Sequence, residues 1–138
     1  MSARHVLYIE DDPQHARLLR GAAQELRLPI ELHVVDSVIK GLEFLGQRDR
    51  YAASPIVSMV VLDLVLPLVS GHEFLQGMQQ DAIFRAIPVV VYTRSISEAD
   101  QYLVGRLKVP YVVKDHTAHG VEAFAKKISA VAHGESRM

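Results

Sequence analysis

Five short apolar runs, each followed by a helical pattern, divide the chain from end to end. The runs are His5–Ile9, Ile30–Val35, Met59–Leu62, Val89–Tyr92 and Tyr111–Val113. Each has the length and β-branched content of a buried strand. Between them, apolar residues recur at spacings of three and four. Pro13 suits a first helical position, and Ala16, Leu19, Ala23 and Leu26 follow before Pro29 stops the helix. Asp36 or Ser37 caps a helix burying Val38, Leu42 and Leu45. Gly71 opens a helix with Phe74, Leu75 and Met78; Ser95 or Ser97 caps one with Ala99, Tyr102, Leu103 and Arg106; Thr117 caps the last, which buries Val121, Phe124, Ile128 and Val131. Five β/α units in succession predict an α/β domain: a doubly wound parallel sheet of five strands with helices on both faces. With no repeat or linker, the reading is a single domain over residues 1–138 with no output domain.

The polar residues that close these runs carry the chemistry. Glu10, Asp11 and Asp12 follow the first run and Asp63 follows the third. Thr93 follows the fourth and Lys114 the fifth. In an open parallel sheet the carboxyl ends of the strands share one edge, where ligands bind. The fold would therefore gather carboxylates, a hydroxyl and an ammonium at one place. At about 4 Å, two carboxylates repel by roughly 1 kcal/mol in water and roughly 4 at an effective dielectric of 20. Such a cluster raises a pKa or binds a cation. Oxygen donors without sulfur favour Mg²⁺ or Mn²⁺. A metal, a nucleophilic carboxylate and two donors make up the parts for phosphoryl transfer to an aspartate. The competing local reading is that Asp11-Asp12 before Pro13 caps a helix.

Composition narrows the field. A formal charge of -1 gives no basic surface for nucleic acid, so no DNA partner is expected. The absence of cysteine removes disulfides and zinc thiolate sites. No apolar stretch approaches the roughly 20 residues that span a bilayer, and a cytoplasmic protein is the default expectation. His116 and His119 could share one helical turn but read as surface residues rather than a metal site.

At these strand ends the sequence resembles the receiver domains of two-component response regulators, the CheY-like family with a (βα)5 flavodoxin-like fold. The resemblance rests on the acids Glu10, Asp11 and Asp12, on the segment Asp63-Leu64-Val65-Leu66-Pro67-Leu68-Val69-Ser70-Gly71, and on Thr93, Tyr111 and Lys114. The lack of an output domain and the Val-Val-Tyr-Thr strand end are most similar to single-domain regulators paired with bacterial phytochromes.

The resemblance implies that Asp63 accepts a phosphoryl group from a sensor histidine kinase, a bacteriophytochrome in the finer reading. Asp12, Asp63 and the backbone carbonyl of Val65 would ligate Mg²⁺ (or Mn²⁺), with Asp11 acting through water. Lys114 would pair with Asp63 and then with the phosphoryl group. Thr93 and Tyr111 would form the switch, changing the surface of the fourth helix, fifth strand and fifth helix, where a homodimer is expected. The chain would be a signalling protein rather than an enzyme, its only chemistry being self-phosphorylation on Asp63.

Two residues depart from the family pattern. Asp115 stands where proline usually follows the lysine, implying a trans bond or an altered loop and a carboxylate able to draw Lys114 away. Arg94 stands where a small residue is usual, and its guanidinium could cover the site; with Val65 it would prolong the phosphorylated state. These departures define the alternative, a degenerate receiver binding a protein partner independently of phosphate. A cofactor-binding flavodoxin relative is disfavoured, because the first βα turn is acidic where a phosphate cradle needs glycines and amides.

Overall fold

The computed structural model describes residues 2–64, 71–94 and 97–138. Val65 and Pro67, and Ser95 as one expected cap, lie outside the described residues. The elements are β1 (Arg4–Ile9), α1 (Pro13–Glu25), β2 (Ile30–Val35), α2 (Val38–Leu45), β3 (Met59–Leu62), α3 (Gly71–Gln80), β4 (Val89–Thr93), α4 (Glu98–Arg106), β5 (Tyr111–Val113) and α5 (Ala118–Ala132). All five strands are parallel in the order β2-β1-β3-β4-β5. This is the doubly wound α/β fold that the alternation of runs predicts. The winding direction reverses between β1 and β3, the place where such sheets open a crevice.

Strand alternation splits the core in two. Val6 and Tyr8 of β1, Met59 and Val61 of β3, and Val90 and Tyr92 of β4 face α1 and α5. Leu7 and Ile9, Val60 and Leu62, and Val91 face α2, α3 and α4. Because both faces are covered, the central strands are apolar throughout. The ring of Phe124 on α5 stacks on Tyr92, with centroids 3.7 Å apart and planes inclined by 8°. That contact places α5 beneath the carboxyl end of β4.

The caps follow the sequence. Ser37 Oγ accepts from the Lys40 amide at 3.2 Å, Ser97 Oγ from Asp100 at 3.3 Å and Thr117 Oγ1 from Gly120 at 3.0 Å. Asp36, the other candidate for α2, instead pairs with Lys40 at 2.8 Å. Helix α1 ends at Glu25, before Pro29 is reached. One helical face differs from expectation. On α2 the buried residues are Val38, Gly41 and Phe44, and Leu42 is exposed. On α4 only Val104 is buried, while Tyr102 and Leu103 are 65% and 46% exposed. The apolar run in α4 thus leaves Tyr102 and Leu103 on the surface.

Ile128, fully buried on α5, and Leu103 make a matched pair for testing this core. Ile128→Ala is expected to lower unfolding free energy by about 2–5 kcal/mol, and Leu103→Ala by less than about 0.5 kcal/mol. Urea denaturation of both variants measures the difference.

Candidate functional site

Backbone hydrogen bonds draw the ends of the strands together. The Asp63 amide donates to the Ile9 carbonyl at 3.1 Å, the Glu10 amide to Val35 at 2.9 Å and the Lys114 amide to Thr93 at 2.8 Å. Glu10, Asp63, Thr93 and Lys114 are all buried there, although three of the four carry a charge in water. Burial of charge is tolerable only with close partners.

Lys114 supplies that partner. Its Nζ donates to Asp63 Oδ2 at 3.0 Å and contacts Glu10 Oε1. It also lies 2.9 Å from His15 Nδ1 and 5.5 Å from the centre of the Tyr92 ring. The Tyr8 hydroxyl donates to Glu10 Oε1 at 3.3 Å. Burial, reinforced by Glu10, drives the Tyr8 phenol far above its ordinary range, so it remains a neutral donor. Burial likewise pushes the Glu10 carboxyl up, against the pull of the Lys114 ammonium, and nearby Asp63 pushes the same way. Two buried carboxyl groups share one ammonium, and burial resists both being ionised together. Glu10 Oε2 is buried and has no hydrogen-bond partner among the described residues.

The three consecutive acids separate into different roles. Glu10 points inward. Asp11 is exposed and lines a cavity of about 320 Å³ together with Glu10, Asp12, His15, Asp63 and Arg94. Asp12 is the N-cap of α1, its Oδ1 accepting from the Gln14 amide at 2.9 Å while Oδ2 lies 3.3 Å from His15 Nε2. The capping hydrogen bond from the Gln14 amide, helped by the Arg94 charge, holds the Asp12 carboxyl below the usual carboxylate range. Glu10 is thus the acid that shares the Lys114 ammonium with Asp63, while Asp12 caps α1 and lines the same cavity.

His15 is the residue that sequence reading missed. Its Nδ1 lies 3.0 Å from Glu10 Oε1, and one ligand atom each from Glu10, His15 and Asp63 lie within 4.8 Å of one another. Burial and then Lys114 lower its pKa, favouring the neutral ring. The signal was available: His15 is the third residue of a helix capped by Asp12, the position whose side chain reaches back toward the cap. Its ring also packs on His116, in the loop between β5 and α5, with centroids 4.4 Å apart.

Asp115 does not draw Lys114 away. The Asp115 carboxylate accepts from the Thr117 amide at 3.0 Å and lies over Gly120, where an added Cβ would come within 2.5 Å of it. No cis peptide occurs among the described residues, so the bond joining Lys114 and Asp115 is trans. Arg94 is exposed on the cavity wall. Tyr111 is half-buried against the α2–α4 side of the core rather than in the acidic cavity. Gly71 permits a close approach, since a Cβ there would meet Leu64 Cδ2 at 2.9 Å and Leu64 Cα at 3.2 Å. Helix α3 thereby starts directly against the residue after Asp63.

Comparison with known proteins bears on this geometry. No family model matches the chain. Response regulator Rcp1 of Synechocystis sp. is 33% identical over 95 residues, covering 69% of this chain and 65% of Rcp1. The bacteriophytochrome response regulator AtBRR superposes with a TM-score of 0.79 at 30% identity, covering 100% of this chain and 97% of that one. The chain belongs to the CheY-like receiver family of two-component response regulators. The phosphorylated cyanobacterial phytochrome response regulator RcpA is similar over 98% of this receiver and 97% of its own chain, with a TM-score of 0.87 and 26% identity. A Mn²⁺-bound form of Rcp1 aligns at a TM-score of 0.82 and 28% identity, covering 92% of each chain. The receiver thus spans just under two thirds of Rcp1 by sequence. Its buried acidic cluster, with an unsatisfied carboxylate oxygen, is suited to a divalent cation.

Lys114→Met removes the ammonium and leaves Glu10 and Asp63 facing each other. The expected loss is about 3–5 kcal/mol of stability, and adding Glu10→Gln restores part of it. Denaturant unfolding of the single and double variants checks this; a double variant no more stable than Lys114→Met contradicts the shared-ammonium arrangement.

Proposed function

We propose that this protein is a phosphorylation-dependent signalling switch whose acceptor is Asp63. The observation that carries the reading is the placement of Asp63, buried at the end of β3 with the Lys114 ammonium 3.0 Å from Oδ2 and an acidic cavity beside it. In the proposed reaction an Asp63 oxygen attacks phosphorus, forming the acyl phosphate bond. The bond from phosphorus to the donor breaks at the same centre, and the donor's imidazole or carboxylate leaves with the electron pair. Lys114, already beside the acceptor, moves its charge onto the incoming phosphoryl oxygens. Arg94 at the cavity wall adds a second positive charge near them.

Asp63, Asp11 and Glu10 are the side chains that would hold Mg²⁺, with Asp12 lining the same cavity; Val65 and its carbonyl lie outside the described residues. When bound, the ion neutralises the carboxylates against the arriving phosphoryl charge. Thr93, buried at the end of β4, is the hydroxyl proposed to follow the phosphoryl group, with Tyr111 responding to the space that it leaves. The change would reach the α4–β5–α5 surface, where Tyr102, Leu103 and Val113 are exposed. That surface is the proposed homodimer contact.

The donor is proposed to be a sensor histidine kinase, a bacteriophytochrome in the finer reading, because solved structures similar to this one include phytochrome response regulators. A cytoplasmic single-domain regulator accords with the chain, in which none of the described helices is long and apolar enough to cross a membrane. The alternative, a phosphate-independent binding module, is not favoured: Asp115 is turned toward Thr117, and Lys114 faces the acids.

Incubation with acetyl phosphate and Mg²⁺ is expected to add one phosphoryl mass, which Asp63→Asn abolishes, and to shift the protein toward a dimer on a sizing column. Intact-mass spectrometry showing no gain, or an equal gain in Asp63→Asn, would refute the acceptor assignment.

A further inference from the structure

At the opposite end of the sheet, a second cluster of ligating groups lies outside the phosphoryl chemistry. His5 on β1 and Glu31 and His33 on the edge strand β2 are brought together by the register, which pairs His5 with Glu31 and Leu7 with His33. Side chains of residues 5, 31 and 33 project from the same face of the sheet. His5 Nδ1 lies 3.0 Å from His33 Nε2 and 3.6 Å from Glu31 Oε2, and one ligand atom from each residue lies within 4.8 Å of the others. The cluster and the acidic cavity are at opposite ends of β1, separated by about 16 Å of extended chain.

These distances have a chemical meaning. Donors about 2.0 Å from a tetrahedral metal stand about 3.3 Å apart, and the observed separations of 3.0 and 3.6 Å bracket that value. Two imidazoles and one carboxylate form a ligand set with a fourth position open. The His33 ring is held from one side by Phe44, with centroids 5.1 Å apart, and Phe44 is backed by Tyr51 at 5.2 Å. Burial lowers the His33 pKa, keeping the ring in the neutral form a metal requires. Glu31 and His33 also line an open cavity, so the fourth position is accessible.

We infer that His5, Glu31 and His33 form a binding site for a divalent transition metal of the Zn²⁺ type, clamping edge strand β2 to β1. In the metal-free protein one ring must donate to the other. On binding, both facing nitrogens become ligands, and the proton between them moves to the far nitrogen of its own ring. The site needs no net proton loss from either imidazole.

Zn²⁺ added to the full-length, untagged chain in excess Mg²⁺ tests the site. Long-range ¹H–¹⁵N spectra of the histidine rings should show His5 and His33 shifting together and saturating at one equivalent, before His15 and His116 move. Calorimetry should show affinity falling at least tenfold in His5→Gln and His33→Gln. Because Glu31 is exposed, Glu31→Gln folds without difficulty and should weaken binding severalfold. The inference is overturned if the His5 and His33 signals stay fixed with Zn²⁺ in excess, if His15 and His116 respond first, or if all three variants bind as wild type does.

Discussion

One ammonium buried between two carboxylates governs this molecule. Glu10 and Asp63 are both withdrawn from water, and Lys114 is the cation that both of them reach. Neither carboxylate could remain charged there alone, since burying an isolated ion is far costlier than the stability of a domain. The arrangement therefore ties the ends of β1, β3 and the segment following β5 to one electrostatic condition. It is also incomplete: two carboxyl groups meet one ammonium, and Glu10 Oε2 has no hydrogen-bond partner among the described residues. A site with two acids to one ammonium responds to a cation and to a change in the charge on Asp63.

The fold supplies the rigidity this requires. The strands that deliver Glu10, Asp63 and Thr93 are central and covered on both faces, so their ends cannot drift independently. Lys114 arrives from the edge strand β5, yet its backbone is fastened to Thr93 and its ammonium lies over the ring of Tyr92, which α5 holds by the Phe124 stack. The side of the molecule with freedom to respond is α4, which buries only Val104. A helix held by so few buried groups is among the first to move when a neighbouring charge changes. This contrast between a fixed charge centre and a weakly held helix is the physical basis of the proposed switch.

The sheet was legible from the sequence because its strands are short apolar runs with polar ends, and every such run became a strand. Helix α5 was equally clear: Val121, Phe124, Ile128 and Val131 form one stripe and all are buried. Helix α2 was not, since Leu42 fits a periodic pattern as well as Gly41 does, and only the approach of the helix to the sheet decides which faces inward. Among the acids, local sequence could not tell which one turns inside. Three in a row sit where a strand gives way to a cap, and a shift of one residue reverses the direction of the side chain. Glu10 continues the alternation set by Tyr8, whereas Asp12 already belongs to the helix. His5 and His33 were invisible as a pair because their meeting depends on the register of β1 against β2.

A divalent cation at the carboxyl edge of the sheet is proposed to balance the acids beside Asp63. Anomalous diffraction from crystals equilibrated with Mn²⁺ tests it most directly. The account calls for a peak within coordination distance of an Asp63 carboxylate oxygen and of Asp11 or Glu10, with the Lys114 ammonium still alongside. A map without a peak there at saturating Mn²⁺, or one in which Asp63 is turned away from the ion, would contradict it.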